Sequence, residues 1–224
     1  MNNPLYSLTT LLAPDRCLGC QAEGSLLCIT CRSGLPQPLG GCFYCGRPTL
    51  RGATCVSCRA KTPLAAISAR TVYTNPLAKQ LLWKLKFDRS RAAAIDVANC
   101  LMTALPAINS KTIIVPVPTA NRRVRARGYD QAVLIARHLA KLSGLPYRQS
   151  LVRLSGKEQK GAGRDQRFAQ QQAALMVARP ALVHGHQILL VDDVVTTGAT
   201  LEAAALALHR AGAAKISAVV FAAA

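Results

Sequence analysis

The sequence is poor in acidic and in aromatic residues. Ten Asp and Glu stand against 28 Lys and Arg, which gives a formal net charge of +18, and Phe, Trp and Tyr make up 4% of the chain. Because the acids are scarce, most basic groups have no ionic partner, and attraction to polyanions such as nucleic acid or polyphosphates is expected. The shortage of aromatics leaves few surfaces on which bases could stack, and no segment resembles a nucleobase pocket.

Long apolar runs and a secretory signal are also absent. The chain contains no run of 18 apolar residues, which excludes a membrane-spanning helix on length. Residues 1–14 have no basic residue before their apolar part and no small-residue cleavage site, unlike a signal peptide. We therefore expect a cytoplasmic protein, in which thiols stay reduced and cysteines bind metal more often than they form disulfides.

Eight of the nine cysteines form four Cys-x-x-Cys pairs near the N-terminus. Two thiolates three positions apart can reach one ion, and two such pairs complete a tetrahedral Zn²⁺ shell. We therefore predict two structural zinc ions, with no coordination position left open for catalysis. The predicted ligands are Cys17, Cys20, Cys28, Cys31, Cys42, Cys45, Cys55 and Cys58.

The pairing of these cysteines has two solutions. Sequential pairing, residues 17/20/28/31 and 42/45/55/58, closes short loops at the lowest entropic cost. Crossed pairing, residues 17/20/42/45 and 28/31/55/58, is the alternative, and a redox dithiol or a disulfide scaffold is a less favoured interpretation. Gly46 supports a metal knuckle, since such a turn needs a residue that tolerates positive φ. The ninth cysteine, Cys100, is expected in the core of an apolar helix.

Beyond residue 62 the sequence alternates between apolar strands and amphipathic helices. A composition change near residues 61–63 predicts a zinc-binding module over 1–62 and a second domain over 63–224. This alternation predicts an α/β domain whose parallel sheet has helices on both faces. Strands are expected at 67–73, 112–115, 187–191 and 215–221, helices at 77–87, 129–142 and 199–211, and a ligand-closing loop at 156–172.

The segment after the third predicted strand has the composition of a sugar-phosphate site. Two adjacent carboxylates begin a predicted loop over residues 192–198, and a Thr-rich stretch then opens a helix, whose free amides and N-terminus favour a phosphate. Carboxylates accept hydrogen bonds from vicinal hydroxyls, so the pair suits a ribose. In the alternative interpretation, Asp193 caps the turn and Thr200 is an ordinary helix N-terminal residue. The predicted contacts are Val191, Asp192, Asp193, Val194, Val195, Thr196, Thr197, Gly198, Ala199 and Thr200.

A second candidate anion site is the basic loop predicted after the strand at 112–115. Arginine carries a planar, permanently charged fork that suits phosphate oxygens. The loop follows a strand, and parallel sheets bind ligands beyond the carboxyl ends of their strands. We assign Arg122, Arg123, Arg125 and Arg127 to a pyrophosphate group, with a solvated basic surface as the alternative.

Residues 188–200 resemble the 13-residue motif with which type I phosphoribosyltransferases bind phosphoribosyl pyrophosphate (PRPP). The order of parts, from the cysteine pairs through Pro116-Val117-Pro118 and the Arg-rich stretch into residues 127–131, resembles the ComF/GntX family. By this resemblance Asp192 and Asp193 form the catalytic pair and contact the ribose 2′- and 3′-hydroxyls. Residues 196–200 hold the 5′-phosphate, and Mg²⁺ bridges ribose and pyrophosphate. The Gln, Arg and Asn of the family fall at Gln159, Arg167 and Gln170, the last a departure.

The resemblance implies a type I phosphoribosyltransferase-like fold preceded by a zinc module. It implies PRPP or a nucleotide as ligand, and single-stranded DNA, a helicase or other competence proteins as partners in DNA uptake. An active phosphoribosyltransferase for an unidentified nucleobase or amine is one alternative, and a zinc-stabilised interaction adaptor is another. Amidophosphoribosyltransferase activity is not expected, since its glutaminase half needs an N-terminal cysteine and this chain begins Met1-Asn2-Asn3.

Overall fold

The structure, a computed structural model, describes residues 14–38, 40–154 and 175–224. In these ranges no helix is long and apolar enough to cross a membrane. The segment expected to close over a ligand, with Gln159, Arg167 and Gln170, lies outside the described residues. The elements in chain order are α1 (Ile29–Ser33), α2 (Val56–Arg59), β1 (Leu64–Val72), α3 (Pro76–Lys86), α4 (Ala92–Leu101), β2 (Thr112–Pro116), α5 (Asn121–Arg127), α6 (Gln131–Ser143), β3 (Leu151–Arg153), β4 (Leu175–Val177), β5 (Gln187–Val195), α7 (Ala199–Arg210) and β6 (Lys215–Ala223).

Four strands form a parallel sheet in the order β1-β6-β5-β2. Successive side chains of a strand point to opposite faces, and both faces here are apolar. Leu189 and Phe221 pack with buried residues of α3, α4 and α6, whereas Leu190 and Val220 pack with α7 and the antiparallel strands β3 and β4. The expected α/β sheet with helices on both faces is therefore confirmed.

Both edge strands are covered by other parts of the chain. Along β1, Ala53 forms an isolated antiparallel bridge with Ala66, and the Thr54 amide donates to the Ala65 carbonyl at 2.9 Å. Along β2, the Ile114 amide donates to Pro146 and its carbonyl accepts from the Arg148 amide. The cysteine-rich region therefore covers β1, which is the outermost strand on one side of the sheet.

The structure corrects two predictions of loops. The arginine-rich stretch is helical over Asn121–Arg127, because Arg and Ala are strong helix formers, and it ends at Gly128 with φ of 81°. Strand β5 continues past the acid pair to Val195, because Val194 and Val195 pair with β6 at Ala222 and Ala223. The loop before α7 is therefore confined to residues 196–198.

Candidate functional site

The two predicted anion-binding segments lie side by side at the carboxyl end of the sheet. Pro116 pairs with Val191, and the Val117 amide donates to the Val191 carbonyl at 3.0 Å. Asp130, which caps α6 through the Ala132 amide, also accepts hydrogen bonds from the amide and hydroxyl of Thr119, both at 2.9 Å. The turn after β2 is thus fixed to the start of the next long helix, beside the residues that follow Val191.

The acid pair is built into the last residues of β5 and is partnered by a lysine. The Asp193 side chain is buried, and its Oδ2 lies 2.9 Å from Nζ of Lys86, at the end of α3. Asp192 Oδ1 accepts a hydrogen bond from the Asp193 amide at 2.8 Å. Burial and the neighbouring Asp193 carboxylate raise the pKa of Asp192 well above its usual range, so a cation bound beside this carboxyl would favour its ionised form.

The loop between β5 and α7 offers small and hydroxyl residues to an anion. Thr196 and Thr197 are exposed, and Gly198 has a left-handed φ of 75°, which favours glycine. Thr197 Oγ1 accepts a hydrogen bond from the Ala199 amide at 3.4 Å. Amides in the first turn of a helix have no partner within the helix, so this turn of α7 directs donors towards the loop.

The cysteine-rich region contacts this loop directly. A Cβ atom added to Gly198 would lie 2.6 Å from Cε1 of Phe43, so the aromatic ring occupies the place of a side chain there. Glu202, in the first turn of α7, accepts hydrogen bonds from Tyr44 at 2.5 Å and from Thr62 at 2.8 Å. Sequence patterns gave no signal for these contacts or for the Lys86–Asp193 pair, because the partners lie far apart in the chain.

The predicted pyrophosphate arginines occupy one short helix but differ in their surroundings. Arg122, Arg123 and Arg125 are exposed. Arg127 is half-buried, donates to Gln131 Oε1 at 2.7 Å and lies 5.8 Å from the centre of the Phe87 ring. The structure thus leaves three exposed guanidinium groups on α5, and it ties the fourth to neighbouring side chains.

Arg153 of β3 interacts electrostatically with the basic helix α5 and with the acid pair. Its Nε donates to the Pro118 carbonyl at 3.3 Å. Burial lowers the pKa of Arg153, Asp192 acts in the opposite direction, and Arg123 lowers it further. Arg153 therefore shares an electrostatic environment with both Asp192 and Arg123, and it was not predicted from the sequence.

The eight N-terminal cysteines form two groups of four, which we call cluster 1 (Cys17, Cys20, Cys28, Cys31) and cluster 2 (Cys42, Cys45, Cys55, Cys58). Within each cluster the sulfur atoms all lie within 4.8 Å of one another. Sequential pairing is therefore confirmed and the crossed alternative is wrong. Cys100 is buried in α4, as expected for a core residue.

The geometry of each cluster fits a tetrahedral metal ion. Four sulfurs about 2.3 Å from zinc would lie about 3.8 Å from one another. The Cys20–Cys28 and Cys45–Cys55 sulfur pairs are each 3.6 Å apart. Burial opposes ionisation of Cys17 and Cys42, but backbone amides lower the pKa of each thiol to about 6. Gly46 adopts the expected positive φ, at 71°. Each cluster thus favours one thiolate, at Cys17 or Cys42, whereas hydrogen bonds with the other thiols raise the pKa of Cys31 and of Cys58 to about 12.

A cleft of about 710 Å³ lies between cluster 2 and the sheet. Its walls include Phe43, Val195 and the C-terminal residue of β6, Ala223, together with Arg51 and Arg70. Phe43 is shared between this cleft and the loop at Gly198. The cleft therefore adjoins the loop that follows the acid pair.

This chain is similar to a protein-family model, to curated proteins and to solved structures. A model of the phosphoribosyl transferase domain matches residues 126–224. Competence protein ComFC of Bacillus subtilis is 32% identical over 197 residues, covering 83% of this chain and 79% of that protein. DNA utilization protein YhgH of Salmonella typhimurium is 30% identical over 223 residues, covering 92% of this chain and 96% of that protein. Among solved structures, the Bacillus subtilis glutamine PRPP amidotransferase with ADP and GMP is 17% identical. The aligned region covers 58% of this chain and 26% of the amidotransferase chain, with a TM-score of 0.42.

Proposed function

The chain belongs to the ComF family, and from this premise we propose that it binds the 5-phosphoribosyl group of PRPP and acts in the handling of DNA taken up by the cell. The observation that carries the proposal is the end of β5. There, the carboxylates of Asp192 and Asp193 lead into the threonine loop, the left-handed Gly198 and the start of α7. Hydroxyl acceptors and phosphate donors thus follow each other along one segment, in the order that a ribose 5-phosphate presents its groups.

Each part of the segment has a role in this proposal. Asp192 and Asp193 accept hydrogen bonds from the ribose hydroxyls, while the amides and hydroxyls of residues 196–200 donate to the 5′-phosphate. Lys86 holds the Asp193 carboxylate through its ion pair. Mg²⁺ bound near the carboxylates would offset the negative charge of the pyrophosphate, and the two adjacent carboxyl groups suit such an ion. We further assign the pyrophosphate to the exposed guanidinium groups of α5, of which Arg123 acts on the pKa of Arg153, as Asp192 does.

We assign one structural Zn²⁺ to each cysteine cluster. Four thiolates saturate the tetrahedral preference of zinc, so the ion supplies folding free energy and has no position for a substrate. We also propose a cytoplasmic location, because thiols stay free to bind zinc in a reducing compartment.

The test of ligand binding is thermal unfolding with and without PRPP and Mg²⁺. A ligand at 100 times its Kd stabilises the folded state by about 2.7 kcal/mol, which for a chain of this size corresponds to roughly 5–10 °C. We expect this shift in the wild type and its loss in the Asp192→Asn/Asp193→Asn variant. Lys84→Gln, which removes an exposed ion pair on α3, is the control and keeps the shift. Equal shifts in the wild type and the double variant would contradict the site.

Handling of single-stranded DNA is supported by the distribution of charge. The chain carries a net charge of +18, and the described residues contain ion pairs for only three of its basic side chains. Exposed Arg122, Arg123 and Arg125 lie together on α5. The logarithm of the affinity for a single strand should therefore fall linearly with the logarithm of salt concentration, with a slope of about −0.7 per phosphate contacted.

The DNA proposal is tested by measuring this slope for an oligonucleotide. Replacing the three exposed arginines of α5 by Gln should reduce the slope by about 2. A control with the same loss of charge replaces three other exposed residues, Arg148, Arg179 and Lys215, by Gln. Identical slopes in the two variants would mean that α5 is not the contact surface, and no salt dependence in the wild type would remove the DNA proposal.

Catalysis by the same site is a second candidate, and the cleft beside Phe43 favours it. A transferase needs space for an acceptor next to its phosphoribosyl site, and a cleft of about 710 Å³ adjoins the loop. Release of pyrophosphate from PRPP in the presence of a nucleobase or an amine would establish the activity. Binding of PRPP without release across a broad acceptor panel would leave a sensor or scaffold, with helicase or other competence proteins as its proposed partners. If neither ligand nor DNA binds, a zinc-stabilised interaction adaptor remains.

A further inference from the structure

Cluster 2 contributes two adjacent aromatic residues to the threonine loop. Phe43 and Tyr44 follow Cys42 and lie within the first Cys-x-x-Cys turn of the cluster. The Phe43 ring lies against Gly198, where an added Cβ would approach it to 2.6 Å. The Tyr44 hydroxyl donates to Glu202 Oε2 at 2.5 Å. The cysteine turn therefore contacts the loop and the first turn of α7 at two separate points.

A second segment joins the same carboxylate from the other end of cluster 2. Thr62 follows Cys58 by four residues, and its hydroxyl donates to Glu202 Oε2 at 2.8 Å while it accepts the Leu64 amide at 3.1 Å. Glu202 thus holds both the first and the last segment of cluster 2.

Cluster 1 makes its contacts elsewhere. The amides of Leu26 and Leu27, between its second and third cysteines, donate to Asp96 of α4 at 2.8 and 3.1 Å. Arg70 of β1 donates to the carbonyls of Arg32 and Leu35, which follow its last cysteine. The two clusters thus resemble each other in ligands but differ in the surface that they support.

We propose that Phe43, Tyr44 and Thr62 are positioning residues for the phosphate loop, and that metal bound in cluster 2, but not in cluster 1, sets the affinity of that loop for a 5′-phosphate. This inference rests on the proposed function. Metal binding orders the cysteine turn, and the ordered turn holds Gly198 and Glu202 in place before ligand arrives. A loop ordered in advance loses less conformational entropy on binding, so the bound ligand is held more tightly.

The experiment compares matched cysteine variants of the full chain. Cys20 and Cys45 are both exposed and both stand second in their clusters, so Cys20→Ser and Cys45→Ser remove equivalent ligands. Titration calorimetry with PRPP and Mg²⁺ should give a Kd raised about tenfold for Cys45→Ser and changed less than twofold for Cys20→Ser. A tenfold change corresponds to about 1.4 kcal/mol, comparable with the loss of one hydrogen bond to a carboxylate. Equal changes in the two variants would overturn the proposal.

Milder variants keep the test valid if a cysteine variant does not fold. Tyr44→Phe keeps the ring and the four thiolates but removes the hydroxyl that reaches Glu202, and it should raise the Kd about fivefold at unchanged zinc content. Glu202→Gln retains an acceptor and should bind PRPP nearly as the wild type does, whereas Glu202→Ala should match Tyr44→Phe. An unchanged Kd in Tyr44→Phe and in Glu202→Ala would contradict the positioning role.

Hydrogen exchange in the ligand-free protein separates this inference from the proposed function. Amides of residues 196–202 should exchange several-fold faster in Cys45→Ser than in Cys20→Ser, whether or not PRPP binds. If the wild type binds no PRPP, the proposed function fails, while faster exchange confined to Cys45→Ser still supports the coupling. Exchange rates that are the same in both variants would refute it.

Discussion

Lys86→Met tests the ion pair that supports the acid pair. The Lys86 and Asp193 side chains are 20% and 8% exposed, and their charged atoms are 2.9 Å apart. Removing one partner of a buried pair leaves an unpaired buried charge, which destabilises a protein by about 3–5 kcal/mol. Because Lys86 is partly exposed, we expect the low end of this range, about 3 kcal/mol. Methionine preserves most of the apolar stem, so the loss reports the charge rather than the packing.

The same helix supplies a matched control. Lys84 pairs with Asp88 at 2.7 Å, but these side chains are 37% and 36% exposed. Both lysines lie in the last turn of α3, where a positive charge interacts favourably with the helix dipole. Exposed i,i+4 pairs contribute about 0.3–0.5 kcal/mol, and Lys84→Met should therefore be nearly neutral.

Urea unfolding in zinc-containing buffer measures the free energy of unfolding for each variant. The double variant Lys86→Met/Asp193→Asn removes the unpaired charge as well, and we expect it to recover about 2 kcal/mol relative to Lys86→Met. Lys86→Met that loses no more stability than Lys84→Met would refute the reasoning. So would a double variant that is no more stable than Lys86→Met.

Three further predictions follow from single sites. Elemental analysis should find two zinc ions per chain, and one in either Cys28→Ser or Cys55→Ser, each of which breaks one cluster. Gly198→Ala should lose about 1–2 kcal/mol of stability and weaken PRPP binding, because φ at this position is 75° and the new Cβ would clash with the Phe43 ring. Adding Phe43→Leu should restore part of the lost stability. Burial and Lys141 lower the pKa of His138, so the unfolded chain binds a proton first as the pH falls below 6.5. Unfolding curves should therefore show stability declining below that pH, and less so in His138→Gln.

Local patterns predicted most of the sheet and its order of elements. The β-branched and apolar runs that form β2, β5 and β6 are each short and bounded by polar or turn residues, so their period and length identified them. The sequence predicts that β5 ends at residue 191, because two adjacent carboxylates suggest a loop. Pairing of Asp192 with Val220 on the neighbouring strand, which local sequence does not reveal, keeps them in the sheet.

The helix α5 was missed for a related reason. The sequence predicts an anion-binding loop from four arginines in six positions, yet arginine has a high helix propensity and Gly128 supplies a left-handed end. The charge of a residue indicates whether it is exposed, whereas helix propensity and capping indicate its backbone conformation. For residues 121–127, propensity and capping agree with the observed helix.

The cysteine spacing predicted the two clusters, and the entropy of short loops favoured the pairing that is observed. What the clusters support was beyond sequence reasoning. Tyr44 and Glu202 are 158 positions apart, and Leu26 and Asp96 are 70 apart. Such contacts depend on the complete fold and have no local periodicity, so no pattern within a short window could reveal them.

The covering of β1 has a consequence for the protein as it is made and handled. Residues 53 and 54, which pair with the outer side of this nine-residue strand, lie within the chain segment that cluster 2 closes. Without metal that segment loses its constraint, and an open strand edge is a template on which other chains add strands. Zinc-starved cells or strong chelators during purification should therefore yield self-associated, sheet-rich material. On this view, the metal protects the chain from aggregation before any ligand is present.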